Sequence, residues 1–234
     1  MRKLWENSEG GFFFLWLWVY LLAQSGGGLL SAVPGVEGSG TALLNGVLAG
    51  GLLLWLRRAG LWPCYRLAPP TGPVPLLPLV LLSTCNLWGG AAMARPPAET
   101  ICAVLTVAGA ALLEELLMRG LLFRWVRRRK GLRAAVAVST LVFGGAHLLN
   151  LGELGLWGTL MQTAGALAFG LLSAVLLLRS GSLWPGILAH CTINALSVFA
   201  APAGEGRTLL LSGVQLALMV SYTVFLVRTA PEHT

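Results

Sequence analysis

Glu114 and Glu115 stand together in an apolar run, with Arg119 a few positions on. Residues four apart share a helix face, so Glu115 and Arg119 can pair. At 3.6 residues per turn, Glu114 points about 100° away and is not neutralised by the same contact. It lies ten residues before Arg124. That is about 15 Å along a helix, near the middle of a bilayer. Charge at that depth costs about 3 kcal/mol or more, so it calls for a reason. A buried ion pair that fixes helix packing accounts for Glu115 and Arg119. It leaves Glu114 unexplained, and a carboxylate facing a cavity can serve as a general base.

The chain has three histidines, and His233 is in the tail. His147 follows Phe143-Gly144-Gly145-Ala146. The small residues allow close helix approach, and the Phe143 ring, one turn back, can wall a site beside the imidazole. The plainer reading is a histidine bonded to a backbone carbonyl. His190 and Asn194 share one face after Trp184-Pro185-Gly186. Trp184 fits an interfacial anchor and Pro185 a first helical turn. An imidazole and an amide one turn apart can hold an oxygen, or can simply bond between helices. Each plain reading works alone. Together, Glu114, His147, His190 and Asn194 on three helices offer a base, a second imidazole and an oxyanion clamp.

The elements that must position these residues are membrane helices. The 234 residues are 56% hydrophobic and 11% charged, with mean hydropathy +0.76. A soluble domain carries about 25% charged residues. This composition excludes a typical soluble domain, a disordered chain and a coiled coil. The net charge of +7 lies between apolar runs, which fits membrane orientation and not nucleic acid. Cys64, Cys85, Cys102 and Cys191 are far apart and read as apolar fillers, with no disulfide framework or zinc knuckle.

The expected fold is all-α, a polytopic helical bundle with eight membrane spans. They fall near 11–31, 40–56, 76–94, 100–123, 134–150, 157–178, 183–201 and 208–227. Arg2 and Lys3 precede the first run, which extends to Val33 without a small-x-small cleavage site, so it is read as a span and not a leader. Residues 57–75, with Pro63, Pro69, Pro70, Pro73 and Pro75, form a loop. With the N-terminus in the cytoplasm, inside segments collect 13 basic residues and outside loops only Arg95 and Arg207. This asymmetry predicts both termini cytoplasmic. Residues 1–99 then hold about three spans, 100–201 the motif-bearing core, and 202–234 the last span and a tail.

The ordered motifs Glu114-Glu115…Arg119, Phe143…His147 and His190…Asn194 resemble those of the CPBP family, the CAAX-protease and bacteriocin-processing (Abi) membrane endopeptidases. The flanks also match, at Arg119-Gly120 and Ser182-Leu183-Trp184-Pro185-Gly186. The resemblance covers roughly residues 100–201. It implies an intramembrane protease similar in chemistry to the CAAX prenyl endopeptidase. In that picture Glu114 activates water, His147 positions it, and His190 and Asn194 hold the carbonyl oxygen. Glu115, Arg119 and Phe143 support them.

Members have also been called metalloproteases. A zinc site would use Glu114, His147 and His190 with a water. No HExxH pair is present, and asparagine is a poor zinc ligand. A glutamate-dependent mechanism without cofactor is therefore favoured, with zinc as the alternative. The 14 Arg against two Lys suggest a bacterial source. That points to the cell (inner) membrane, lipid as surroundings, and a membrane-associated protein or peptide as substrate, either a leader or a C-terminal sorting signal. His147, about 21 Å into its span, favours the sorting signal. Two rivals are a non-catalytic bacteriocin-immunity or scaffolding protein and a small transporter with Glu114 in a proton relay. The first needs no intact Glu114. The second needs a polar path, for which Thr159, Gln162, Thr163, Ser173 and Gln215 are a thin lining.

Overall fold

In lipid every backbone N–H and C=O must be paired within the protein, and helices do this locally. A computed structural model describes residues 1–31 and 36–229, so Val33 and His233 lie outside the described residues. Helices α1 (Arg2–Asn7), α2 (Glu9–Ser31), α3 (Ser39–Arg58) and α4 (Leu76–Ser83) come first. Then follow α5 (Pro97–Glu115), a wider π turn (Leu116–Leu122), α6 (Phe123–Ala146), α7 (Leu151–Ser180), α8 (Trp184–Ser197) and α9 (Glu205–Arg228). Among the described residues the β structure is limited to one isolated bridge between Ala91 and Ala200.

Four described stretches are long and apolar enough to cross a membrane: Glu9–Leu30, Ser39–Arg58, Pro97–Ser180 and Glu205–Arg228. The third, of 84 residues, turns at Gly131 (φ 83) and Gly155 (φ 66), conformations open to glycine. These turns fall between the spans expected at 100–123, 134–150 and 157–178. Two other expected spans are shorter than anticipated. At 1.5 Å per residue α4 is about 12 Å long and α8 about 21 Å, against about 30 Å of hydrocarbon. After α4 the chain tightens into a 3-10 turn at Cys85–Leu87 and reaches Gly90 at φ 111. There Asn86 donates to the Ile193 carbonyl (2.6 Å), which ties this turn to α8.

Helix α5 is the centre of the packing. Helices α3 and α8 pack against it, α2 packs against α3 and the π turn, and α7 joins α6 to α9. Asn45, fully buried, accepts from Gln24 Nε2 (2.6 Å) and donates to the Thr106 carbonyl (3.0 Å), so α2, α3 and α5 are tied by one amide. Outward-facing Leu29, Leu77, Leu149 and Trp157 are exposed, as lipid-facing side chains must be. The expected loop after α3 is pinned to the α7–α8 turn. Leu183 N–H donates to the Arg66 carbonyl (2.8 Å), Ser182 Oγ to that of Ala68 (2.6 Å), and the Trp184 indole to that of Leu67 (2.7 Å). Trp184 thus anchors to backbone, and Pro185 sits in the first turn of α8 as expected.

Candidate active site

Helix α5 presents Glu114 and Glu115 to different neighbours, as their angular separation requires. Arg119, in the π turn, still reaches back four residues, and its Nη1 donates to Glu115 Oε1 (3.0 Å). Both side chains are fully buried. Glu115 Oε2 accepts from Ser173 of α7 (2.5 Å). Among the described residues Arg119 Nε and Nη2 have no hydrogen-bond partner. The guanidinium instead lies over the Phe143 ring, 4.4 Å from its centroid, a cation–π contact worth about 2 kcal/mol when desolvated.

Glu114 faces away from that pair. Its Oε1 accepts from Tyr20 Oη of α2 (2.7 Å), and its Oε2 lies 3.8 Å from His190 Nε2. His190 Nδ1 lies 3.3 Å from Glu115 Oε1 but is not aligned for a hydrogen bond, so the contact is one of charge and proximity. The imidazole therefore spans the two carboxylates, one at each ring nitrogen. Aromatic edges hold the ring in place, with Phe143 at 5.5 Å and Phe169 at 4.7 Å between centroids. The His190 side chain is 7% exposed and that of Glu114 22%, so Glu114 is the more open of the two.

His147, in the 3-10 turn that ends α6, packs edge-on to Phe143 at 5.1 Å. Its Nδ1 lies 2.9 Å from the Phe143 carbonyl. A carbonyl only accepts, so Nδ1 carries the proton and Nε2 keeps its lone pair free in the neutral ring. The carbonyl belongs to His147's own helix, so the bond orients the ring without joining two helices, and it leaves one nitrogen for a water. Asn194 is half-buried one turn beyond His190, and among the described residues its side-chain amide has no hydrogen-bond partner.

The structure brings Glu114, Glu115, Arg119, Phe143 and His190 into one cluster. His147 joins it through Phe143, and Asn194 borders it. Tyr20, Phe169 and Ser173 complete the cluster; none is among the candidate site residues, and Ser173 figures in the sequence only as a scattered polar residue. Tyr20 is the one tyrosine of the first apolar run. A phenol there needs a polar partner, and that need could have pointed to Glu114. Among the described residues no three His, Cys or Glu side chains form a group able to hold a metal ion. Glu115 is committed to Arg119 and Ser173, and one oxygen of Glu114 to Tyr20. As arranged, Glu114, His147 and His190 do not form such a group.

Glycine lets α8 approach. A Cβ on Gly186 would meet Ser173 Oγ at 2.6 Å and Glu115 Oε2 at 3.5 Å. The Trp-Pro-Gly sequence thus seats α8, and with it His190, against the Glu115 pair.

No curated protein and no solved structure matches the chain. Residues 96–196 match the family described as type II CAAX prenyl endopeptidase Rce1-like, a segment that holds all three motifs. That match supports the CPBP, or CAAX protease, family, to which this segment is similar.

Proposed function

We propose that the chain is an intramembrane endopeptidase in which Glu114 is the general base. The carrying observation is the asymmetric holding of Glu114, with Oε1 fixed by Tyr20 and Oε2 free of hydrogen bonds beside His190. A water between Glu114 and the free Nε2 of His147 gives a proton to Glu114, and its oxygen attacks the peptide carbonyl carbon. The carbonyl oxygen gains the electron pair and is met by Asn194 and His190. The intermediate collapses by breaking the C–N bond, and the proton on Glu114 passes to the leaving nitrogen. Glu115, Arg119 and Phe143 hold α5, α6 and α8 in register and do not touch substrate.

The substrate in this reading is a membrane-associated protein or peptide, with a bacterial leader or C-terminal sorting signal favoured over a prenylated protein. No step passes through a metal. The chain lies in the cell membrane as a multi-pass helical protein with both termini cytoplasmic, α4 and α8 being too short to cross by themselves. The basic residues support that topology, with Arg57, Arg124 and Arg228 at one end and Arg95 and Arg207 at the other.

The test compares membrane and secreted proteomes of the native host with Glu114 or Gln at that position. Termini are read by mass spectrometry. One class of new termini should vanish in Glu114→Gln at unchanged abundance of the protein. An unchanged set of termini from a culture expressing the protein overturns the enzyme reading.

A further inference from the structure

A cavity of about 730 Å³ opens at the arginine-rich end of the bundle, and the proposed chemistry makes no use of it. Arg66 of the loop, Arg119 of the π turn, Arg124, Arg127 and Arg128 of α6 and Arg179 of α7 all line it, Arg119 being neutralised by Glu115. Sequence orientation rules put arginines at this end, but they do not require them around one open cavity. Among the described residues Glu9 is the one carboxylate paired to the other five, with Arg128 Nη1 at 2.6 Å and Arg124 Nε at 3.3 Å. Among the described residues Arg66 and Arg127 have no carboxylate partner, and Arg179 donates through Nη1 to the Thr229 carbonyl while its Nε is buried without a hydrogen bond. Burial pushes the Tyr65 phenol on the wall up to about 12, so it adds no negative charge.

With Arg119 committed to Glu115, the five other arginines face one carboxylate, Glu9, and that excess selects an anion. Apart from Cys64 and Tyr65, the side chains on the rest of the wall are hydrocarbon. Leu132 and Val227 line the cavity and are 42% and 57% exposed, so the wall continues onto the lipid-facing surface. A free phosphate has no use for that wall, whereas a lipid places its phosphate and its first methylenes on such a boundary. Basic pockets between helices at the cytoplasmic face hold anionic headgroups in this way.

We propose that this cavity binds the phosphate headgroup of an acidic phospholipid, with its acyl chains leaving past Leu132 and Val227. The inference is independent of the protease reading.

The test uses the purified full-length chain in detergent micelles, with dioleoylphosphatidylglycerol or dioleoylphosphatidylcholine added and binding read by thermal shift. Phosphatidylglycerol should raise Tm and phosphatidylcholine should not. Arg66→Gln/Arg127→Gln should bind phosphatidylglycerol about thirty-fold more weakly, from the typical contribution of two basic residues near a lipid surface. Arg57→Gln/Arg58→Gln removes the same charge from exposed positions that do not line the cavity, and should bind as wild type does. Equal loss in both pairs reduces the effect to general surface charge and overturns the site. Equal stabilisation by inorganic phosphate makes it a free-anion site and overturns the lipid assignment. A photoactivatable phosphatidylglycerol on the wild-type chain needs no variant. Its crosslinks should map beside Leu132 or Val227, and labelling confined to other segments overturns the proposal.

Discussion

Tyr20 Oη stands 2.7 Å from Glu114 Oε1, a hydrogen bond between residues 94 positions apart in the chain. It makes α2, which lies outside the matched segment 96–196, part of the site. The donor fixes one carboxylate oxygen and leaves the other to face His190. Tyr20→Phe keeps the ring and removes the donor. A hydrogen bond to a charged group is worth about 1.5–3 kcal/mol, so kcat/KM should fall roughly ten- to a hundred-fold. The fold should hold, because the ring packing is unchanged. The check is peptide cleavage alongside the melting temperature. Unchanged cleavage would show that Tyr20 does not orient the base.

Glu114 and Glu115 should separate cleanly on substitution. Glu114 is partly open and makes one hydrogen bond, so Glu114→Gln should abolish cleavage and leave abundance near wild type. Glu115 is fully buried and neutralises Arg119. Glu115→Gln leaves a buried guanidinium without its counter-charge, a loss of about 3–5 kcal/mol. Its protein level should drop sharply before any effect on chemistry can be read. Immunoblots of membrane fractions, set against the cleavage assay, distinguish the two outcomes. Normal abundance of Glu115→Gln with lost activity would move Glu115 from support to chemistry.

Asn194 makes no side-chain hydrogen bond among the described residues, so its amide is free for substrate. Asn194→Ala should leave Tm within about 1 °C, in line with the small effects of changes that break no native contact. If the amide meets the oxyanion, kcat should fall roughly a hundred- to a thousand-fold with little change in KM. A fall in Tm with proportional loss of activity would instead make Asn194 a packing residue.

The sequence carried the motif helices well because a charge inside an apolar run has few plain explanations. Glu114, Glu115, Arg119, Phe143 and His190 share one cluster, as their spacing and the need to satisfy buried charge required. Gly131 and Gly155 turn the chain where the apolar runs break. What could not be read was partnership across long separations. Neither Tyr20 nor Ser173 has a local sequence feature that names its partner, because the meeting is decided by how α2 and α7 pack on α5. The lengths of α4 and α8 were likewise misjudged. Apolar composition continues to residue 94 and to residue 201, but α4 ends at Ser83 ahead of a 3-10 turn and α8 ends at Ser197.

Metal dependence gives another expectation. Glu115 is held by Arg119 and Ser173, and Tyr20 holds one oxygen of Glu114, which leaves Glu114, His147 and His190 poorly arranged as zinc ligands. Cleavage by the purified protein should survive dialysis against 1,10-phenanthroline within about twofold, since a catalytic zinc would supply several kcal/mol. Loss of activity that returns on adding zinc alone would restore the metalloprotease alternative. Elemental analysis of the purified chain gives an independent reading.

The seat of α8 offers a sharper test of the support. Gly186 lies where any Cβ would stand 2.6 Å from Ser173 Oγ, and that hydroxyl is committed to Glu115. On an open helix Gly→Ala gains about 1 kcal/mol. Here Gly186→Ala should instead cost about 1–3 kcal/mol, because the hydroxyl or the whole helix must move. Moving α8 moves His190 away from both carboxylates, so activity should fall with stability. Ser173→Ala removes the clashing oxygen at the expense of one hydrogen bond to Glu115. In the double variant the new Cβ stands 3.6 Å from that of residue 173, an ordinary contact. The double variant should therefore be less destabilised than the sum of the two single changes, with a coupling of about 1–2 kcal/mol. Denaturation of the four proteins in one detergent measures it. Strict additivity would mean that Gly186 and Ser173 do not touch, and that another contact sets the position of α8.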